Sequence, residues 1–368
     1  MEQLSHNLLD DTEPRLKLSI CISTLNRADF LGANLDAILP QLTPDTELLV
    51  VDNASSDHTP TVIAARQHYS SQLRYIRRET NLGVDRNYDR AVELAHGDYC
   101  WLMSDDDLVK PGAVKAILDV LRQNPGAALV NYEFRDFSMS NLLQERALDF
   151  SFDRVYGPWE LDRMFVELGD FVRYIGASVM RRETWLSRRR DMYIGSLYAF
   201  VGMLYQEKFS QPVHVIAEPY VSYRMPQIKR PSQRMMELVL VQWPSLVASL
   251  PISDSSKRTL HSAFPWKHPF ELLNWRGNGC YSYDTYRRWL RPQLYLIRDK
   301  SISLACALVP ISLANAILLL FYSVRRKRLR QMEGLKLALL KGNATYLKGC
   351  RQLKRQQDTL TPSRSYWS

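Results

Sequence analysis

The chain has 368 residues, of which 46% are hydrophobic and 24% charged, so it can fold as one large domain with a smaller one and is not a low-complexity chain. Its net charge of +9 and pI near 9.2 favour an anionic partner: a phosphorylated substrate, nucleic acid or an acidic membrane surface. The five cysteines are scattered, without metal-binding spacing or a disulfide framework, which favours a reducing cytoplasm.

Residues 1–16 contain acidic residues and no apolar core, which predicts a flexible N-terminal arm rather than a secretory signal. From residue 17 onward, apolar runs rich in Ile and Val alternate with segments of helical spacing. In chain order, the pattern predicts strands over 18–24, 47–52, 73–78 and 99–103, separated by helices over 28–42, 59–69 and 85–96 and followed by a helix through 114–121. This alternation predicts an α/β fold with a mostly parallel sheet.

After residue 126 the pattern becomes less regular. Further strands are predicted over 127–134, 177–182, 213–216 and 220–224, with helices near 159–168 and 196–209. From residue 226 the sequence turns helical and rich in Trp, Tyr, Arg and Leu. We therefore expect a first domain over 17–225 and a helical C-terminal region over 226–368.

Polar side chains concentrate where the predicted strands end. They are Thr24, Asn26 and Arg27 after the first strand, Asp52, Asn53 and Asp57 after the second, and Asp105, Asp106 and Asp107 after the fourth. In an open parallel sheet the carboxyl ends of the strands share one edge, where ligands bind. Three separate segments are therefore expected to meet at one site.

The run Asp105–Asp107 has two interpretations. An Asp-rich turn between a strand and a helix commonly caps that helix and favours its positive end. Three adjacent carboxylates also repel one another unless they are solvated, pair with basic groups or hold a cation. Convergence with the other two segments favours a cation site.

Four segments together resemble the family-2 glycosyltransferases, which have the Rossmann-like GT-A fold. They are "SICISTLNR", "VVDNASSDHT", "NLGVDRNYDRAVELAHGDYCWLMSDDD" and "YIGSLY". Within the family, "NLGVDRNY", "GDYCW" and "DMYIGSLY" are most similar to abequosyltransferases of bacterial O-antigen synthesis. The resemblance implies transfer of a dideoxyhexose from a CDP-sugar to a mannose of a lipid-linked oligosaccharide, at the cytoplasmic face of the bacterial inner membrane.

The resemblance also implies roles for individual residues. Asp106 would bind Mn²⁺ or Mg²⁺, Asp107 would share or support the metal, and Asp105 would bind ribose hydroxyls. The other residues implied to bind the nucleotide sugar are Thr24, Asn26, Arg27, Asp52, Asn53, Asn81, Gly83 and Arg86. Arg224 has a separate basis, because it follows the last predicted strand in a basic loop that either closes over the donor's diphosphate or is a solvated linker. Ser104 stands where many relatives have an acid, and Phe200 where relatives have a His, which puts the ligand set and the donor sugar in question.

Inverting members of the family carry a catalytic base, often in a Glu-Asp pair before a helix, but the corresponding "YIGSLYAF" contains no acid. Either Asp191, a few residues earlier, is the base, or the enzyme retains configuration and the departing phosphate accepts the acceptor's proton. The abequosyltransferase resemblance implies retention. Asp191 is equally interpretable as a surface acid beside Arg188–Arg190.

Residues 301–322 contain no charge and are long enough to span a bilayer, but both flanks are basic and Pro310 lies midway. An interfacial hairpin near 301–328 on an anionic membrane fits these facts better than a single crossing. A buried hairpin in a soluble helical domain is the alternative.

Two other functions are open. A nucleotidyltransferase also places a metal-bound Asp on an α/β sheet, but it needs a Gly- and Lys-rich triphosphate loop that "STLNRADF" does not provide. A basic membrane scaffold or nucleic-acid binder would explain the charge alone. We expect no nucleic-acid partner because no such motif is present and the basic residues gather beside the apolar segment.

Overall fold

The computed structural model describes residues 18–225, 236–260 and 263–324. The predicted N-terminal arm and the sequence after residue 324 lie outside these ranges. The strands are β1 (Leu18–Thr24), β2 (Thr46–Asp52), β3 (Leu73–Arg77), β4 (Tyr99–Met103), β5 (Leu108–Val109), β6 (Ala127–Arg135), β7 (Leu142–Gln144), β8 (Arg154–Tyr156), β9 (Ser178–Arg181) and β10 (Val213–Arg224). The helices of the first part are α1 (Ala28–Ile38), α2 (Thr59–Gln67), α3 (Val84–Leu94), α4 (Ala113–Leu121), α5 (Leu161–Leu168), α6 (Arg182–Ser187) and α7 (Ala199–Tyr205).

These strands form one sheet in the order β3-β2-β1-β4-β9-β6-β10-β5, with β7 beside β6 and β8 beside β10. The first four strands pair in parallel, as do β6 and β10, while the antiparallel contacts are mostly short. The Val- and Ile-rich strands β1, β2 and β4 are buried throughout because helices cover both faces. The predicted α/β fold with a mostly parallel sheet is confirmed.

The register of the sheet brings the predicted site segments to one edge. Thr24 at the end of β1 lies opposite Asp52 at the end of β2, and Ile22 lies opposite Met103 at the end of β4. The loops after these three strands therefore leave the sheet side by side.

The predicted bounds of two strands and one helix were wrong. The strands predicted over 213–216 and 220–224 form the single strand β10, whose register against β6 shifts between Ile216 and Val221. Pro219 lies in this interruption, where it has no ladder hydrogen bond to donate. The helix predicted over 196–209 begins only at Ala199, because Gly195 and Leu197 have φ of 96° and 61°.

The C-terminal region is helical where it is described. Its helices are α8 (Trp243–Ser249), α9 (Asp254–Thr259), α10 (Pro269–Gly277), α11 (Tyr283–Thr285), α12 (Ile297–Leu308) and α13 (Ile311–Val324). Trp243 and Val247 of α8 belong to the core of the first domain, whereas Leu272 and Leu290 belong to a second core. Helix α8 thus joins the two parts.

The apolar segment is broken into α12 and α13, with Pro310 between them. Within the described ranges, no single helix passes the length and hydropathy test for a membrane span. Ile297–Leu308 and Ile311–Phe321 pass it only as a pair, bent by 102°.

Candidate active site

The loops after β1 and β2 are joined by hydrogen bonds. Asn26, in the left-handed conformation at φ 54°, accepts from the backbone N–H of Ser56 through its Oδ1 at 2.7 Å. Its own N–H donates to Ser55 Oγ at 2.9 Å. Asp57 accepts from the N–H of Ala28 at 3.1 Å, at the start of α1. Asn26 and Asp57 therefore fix the loop that carries Arg27.

Asp52 is fully buried at the end of β2. Its Oδ1 accepts from the Ser55 N–H at 2.8 Å, and its Oδ2 accepts from the Tyr75 hydroxyl at 2.7 Å. Arg77 lies 3.7 Å from the same carboxylate. Asp52 is thus held in one position by its neighbours.

The next residue, Asn53, connects β2 to the segment before α3. Its Nδ2 donates to Asn81 Oδ1 at 2.6 Å, and its Oδ1 accepts from the Leu82 N–H at 3.1 Å. Asn81 Oδ1 also accepts from the Gly83 N–H at 2.9 Å. Gly83 has φ 86° and ψ 160°, a conformation that only glycine adopts readily. The segment 81–83 therefore lies beside Asp52 and Asn53.

Arg27 connects this group to the Asp cluster. Its guanidinium lies 3.6 Å from Asp105 and 3.3 Å from Asp106. Asp106, whose side chain is 26% exposed, also accepts from the Ser104 hydroxyl. Asp105 is buried, so Asp106 is the carboxylate of this pair that presents itself to solvent.

Asp107 is 1% exposed. Its Oδ1 accepts from the Arg224 N–H at 2.6 Å. Its Oδ2 has the Tyr174 hydroxyl as a neighbour, and both atoms are buried without a hydrogen bond of normal geometry among the described residues. The Arg224 side chain donates to the carbonyls of Asp106 and Phe137 and lies 5.1 Å from the Phe30 ring. Arg224 therefore supports the Asp loop from β10, a role that the predicted contact with a diphosphate did not include.

Burial changes the acidity of two of the three carboxyls. It raises the pKa of Asp105 to about 7, and the neighbouring charge of Asp106 adds to this rise against the effect of Arg27. Burial and then Asp106 likewise raise the pKa of Asp107 to about 8. A cation at this place would favour the charged carboxylates and lower both pKa values.

Two buried asparagines, which sequence reasoning missed, hold the site loops. Asn34 of α1 donates to the carbonyls of Ser104 at 2.9 Å and Asp107 at 2.7 Å. Asn87 of α3 donates to Ser23 Oγ and to the Val51 carbonyl, each at 2.7 Å. Each asparagine occupies a position in an otherwise apolar helix stripe, and that pattern was a usable signal.

Asp85, also missed, connects α3 to the segment before α7. Its buried Oδ2 accepts from the N–H groups of Gly195 and Leu197, both at 2.8 Å. The segment 193–198 is the "YIGSLY" motif, and the ring of Tyr198 within it packs at a tilt against Trp243 of α8, with the ring centroids 5.0 Å apart. An acid in the first turn of a helix is usually a surface residue, so this role of Asp85 was not predictable from the local pattern.

Two predicted site residues stand apart. Asp191 lies exposed on the turn Arg190–Met192, and it has no hydrogen bond or ion pair in the described part of the chain. The neighbouring Arg190 pairs instead with Asp89 and Glu93 of α3. Arg86 is exposed in the first turn of α3. No contact connects Asp191 or Arg86 to the Asp cluster.

The sequence and the fold of the chain resemble those of known proteins. Residues 19–192 match the family model "Glycosyl transferase family 2". The chain is 30% identical over 224 residues to abequosyltransferase RfbV of Salmonella typhimurium, covering 56% of this chain and 66% of the relative. It is 29% identical over 115 residues to the Campylobacter jejuni GalNAc(5)-diNAcBac-PP-undecaprenol beta-1,3-glucosyltransferase, covering 31% of this chain and 37% of that protein. The chain thus spans less than two thirds of the length of these relatives.

Solved structures with the same fold are more distant in sequence. Staphylococcus aureus TarS 1-349 in complex with UDP-GlcNAc has a TM-score of 0.52 at 14% identity, covering 89% of this chain and 92% of that one. The mannosyltransferase PcManGT from Pyrobaculum calidifontis, in complex with GDP-Man and Mn²⁺, has a TM-score of 0.50 at 16% identity, covering 90% and 88%. The fold is therefore that of GT-A enzymes. Residues 19–192 thus form a domain of glycosyltransferase family 2. Within that family it is abequosyltransferase-like.

Proposed function

We propose that the protein transfers a dideoxyhexose such as abequose from a CDP-sugar to a mannose of a lipid-linked O-antigen oligosaccharide, with retention of configuration. The abequosyltransferase similarity supports the donor and acceptor classes. The observation that carries the proposal is the meeting of Asp52, Arg27 and Asp106 at one sheet edge, beside carboxyls that the protein leaves incompletely paired.

Each side of this edge has a distinct task. The buried Asp52, with Asn53 and Asn81, forms a polar wall for the nucleotide. Arg27 pairs with Asp105 and Asp106, and a guanidinium at this edge would bind the donor's phosphates bidentately.

A divalent cation fits the donor set of this edge. Asp105 and Asp106 offer hard carboxylate oxygens, and Asp107 Oδ2 has no hydrogen bond of normal geometry among the described residues. Among the described residues no three acidic, His or Cys side chains are grouped to hold a metal by themselves. Mg²⁺ and Mn²⁺ sites in such enzymes need only one or two carboxylates besides the substrate phosphates. Bound there, the ion would neutralise charge on the departing nucleotide diphosphate.

Retention is supported by the segment that precedes and forms α7. Residues 192–206 contain no acid, so no carboxylate of this segment is available to deprotonate an acceptor hydroxyl. We propose that the leaving phosphate accepts that proton on the same face of the sugar. Inversion with Asp191 as the base is the alternative.

The test incubates the purified protein with CDP-, UDP-, GDP- and dTDP-sugars plus Mn²⁺ and measures release of free nucleotide. We expect release from a CDP-sugar, its loss on chelation with EDTA, and its loss in Asp106→Ala. Asp119→Ala, which removes an exposed acid of α4, is the matched control and should keep full activity.

Three results would contradict the proposal. Full nucleotide release by Asp106→Ala would remove the cation assignment. A product with inverted anomeric configuration, abolished in Asp191→Ala, would replace retention with the alternative mechanism. Release of a sugar 1-phosphate rather than a nucleoside diphosphate would identify a nucleotidyltransferase, because nucleotidyl transfer breaks the bond between the two phosphates.

A further inference from the structure

One face of helix α13 is apolar and exposed. Leu313, Ile317 and Leu320 follow one another at helical spacing and are 51%, 41% and 70% exposed. The opposite face, with Ala314 and Leu318, is buried against the rest of the helical region. Exposed apolar side chains in a continuous stripe mark an interaction surface, whereas isolated ones do not.

The charge of the chain is concentrated immediately after this helix. Residues 325–368 contain 12 of the 48 Lys and Arg residues and two acids, which gives this segment a formal charge of +10. The remaining residues, with 36 basic and 37 acidic side chains, carry a charge of −1. The excess positive charge of the protein therefore belongs to the segment that follows the apolar stripe.

The geometry of the stripe favours a flat apolar surface over a bilayer span. Helix α13 has 14 residues, which corresponds to about 21 Å of length and is shorter than a hydrocarbon core of about 30 Å. It meets α12 at 102°, and Leu308 at the end of α12 is also exposed. A helix with one exposed apolar face next to clustered Lys and Arg is typical of segments that lie in a membrane interface.

We propose that the α13 stripe (Leu313, Ile317 and Leu320) inserts into the headgroup boundary of an anionic lipid bilayer, while the basic segment 325–368 binds the lipid headgroups. Charge complementarity selects this occupant, because a second copy of the chain would bring the same +10 segment against itself. Nucleic acid would satisfy the charge but not the apolar stripe.

The position of this surface suits a membrane-bound acceptor. The helical region reaches the segment 193–198 through α8, where Trp243 packs on Tyr198 and lies 5.1 Å from the guanidinium of Arg173. Docking at α13 therefore holds the active site near the bilayer without relying on a long linker. The exposed stripe of α13 and the charge of the following segment do not depend on the proposed reaction.

The test measures sedimentation of the full-length protein with phosphatidylcholine vesicles, with and without phosphatidylglycerol, over a range of salt concentrations. We expect binding to the anionic vesicles that weakens as salt rises. The combined variant Leu313→Ser, Ile317→Ser, Leu320→Ser should lower the partition coefficient by about tenfold or more. Replacing the basic residues of 325–328 by Gln should lower it as well.

Tyr69→Ser with Phe152→Ser is the matched control, because it removes exposed aromatic side chains from the first domain and should bind vesicles like the unmodified protein. Circular dichroism and the melting temperature check that each variant is folded, so no result depends on transferase activity. Equal binding of the stripe variant and the unmodified protein would overturn the proposal. So would a dimer that the stripe variant dissociates, or binding to single-stranded RNA in place of vesicles.

Discussion

The two ends of the parallel sheet differ in how they pair buried acids. At the amino end, Glu47 of β2 accepts from Ser19 Oγ and the His96 N–H, each at 2.6 Å, and from Arg74 at 2.5 Å. At the carboxyl end, Asp105 has one ion pair at 3.6 Å, and one oxygen of Asp107 has no hydrogen bond of normal geometry among the described residues. One sheet thus carries a fully paired acid at the amino end of β2 and incompletely paired acids after the carboxyl end of β4, on either side of β1.

The pKa values follow this difference. Burial alone would raise the pKa of Glu47, but the hydrogen bonds from Ser19, Arg74 and His96 outweigh it and the pKa is lowered. At the other end, burial raises the pKa of Asp105 to about 7. A structural acid has its hydrogen-bond partners within the fold, whereas a ligand-binding acid acquires them from its ligand. This difference explains why the buried carboxylates of the Asp cluster are destabilising when no ligand is bound.

Asp105→Asn should give the largest effect. We expect nucleotide release to fall by about a hundredfold or more, because the amide neither carries the charge that attracts a cation nor pairs with Arg27. The melting temperature should stay the same or rise, since the change removes a buried and incompletely paired carboxylate. Turnover assays and thermal unfolding on the same preparation measure both. A large drop in melting temperature would show that Asp105 is a structural acid like Glu47.

Glu47→Gln should do the reverse. Its amide cannot accept from all three donors, so we expect the free energy of unfolding to fall by about 2 kcal/mol, with turnover at 25 °C unchanged. Glu93→Gln is the control, because Glu93 is only half-buried and its ion pairs with Arg90 and Arg190 should contribute less than about 1 kcal/mol. Urea unfolding distinguishes them. Equal losses of unfolding free energy in the two variants would show that Glu47 stabilises the fold no more than Glu93 does.

Asp85 shows that an acid near the site can also be structural. Asp85→Ala frees the N–H groups of Gly195 and Leu197, so we expect the KM for the acceptor to rise by about tenfold with a smaller change in kcat. Asp85→Asn keeps an accepting oxygen and should restore most of the affinity. Asp89→Ala, one turn along α3, removes the contact with Arg190 instead and should leave the acceptor KM unchanged. A rise confined to the donor KM would show that Asp85 does not position the acceptor side.

The sheet edge was predictable because it rests on local patterns. The apolar runs ending at Thr24, Asp52 and Met103 predicted both the strands and their common edge. The pairing of the acids was not predictable, because it depends on partners distant in the sequence. Asn34 reaches the Asp loop from 73 residues away, and Arg224 reaches it from 117.

The segment that leads into α7 was predicted least well. The helix predicted from Ser196 starts later, because Gly195 and Leu197 have positive φ. The N–H groups of both residues donate hydrogen bonds to Asp85. The hydrophobic periodicity of a sequence does not indicate a turn that depends on hydrogen bonds to a distant residue. The role of Asp191 stays a prediction, as its exposed position offers no contact that assigns one.

The smallest effect is the pH dependence of the amino-end acid. Since the folded-state pKa of Glu47 is lowered, its stabilising contribution is fully present above the pKa of the unfolded chain, about 4.3. That contribution is lost as the pH falls through the lower folded-state pKa, because protonation of the carboxylate breaks its charged contacts with Arg74 and the N–H of His96. The stability advantage of the unmodified protein over Glu47→Gln should therefore be constant near pH 6 and shrink below about pH 4. Urea unfolding of both proteins across this range measures it, and an advantage that grows as the pH falls would show that Glu47 is buried in its neutral form.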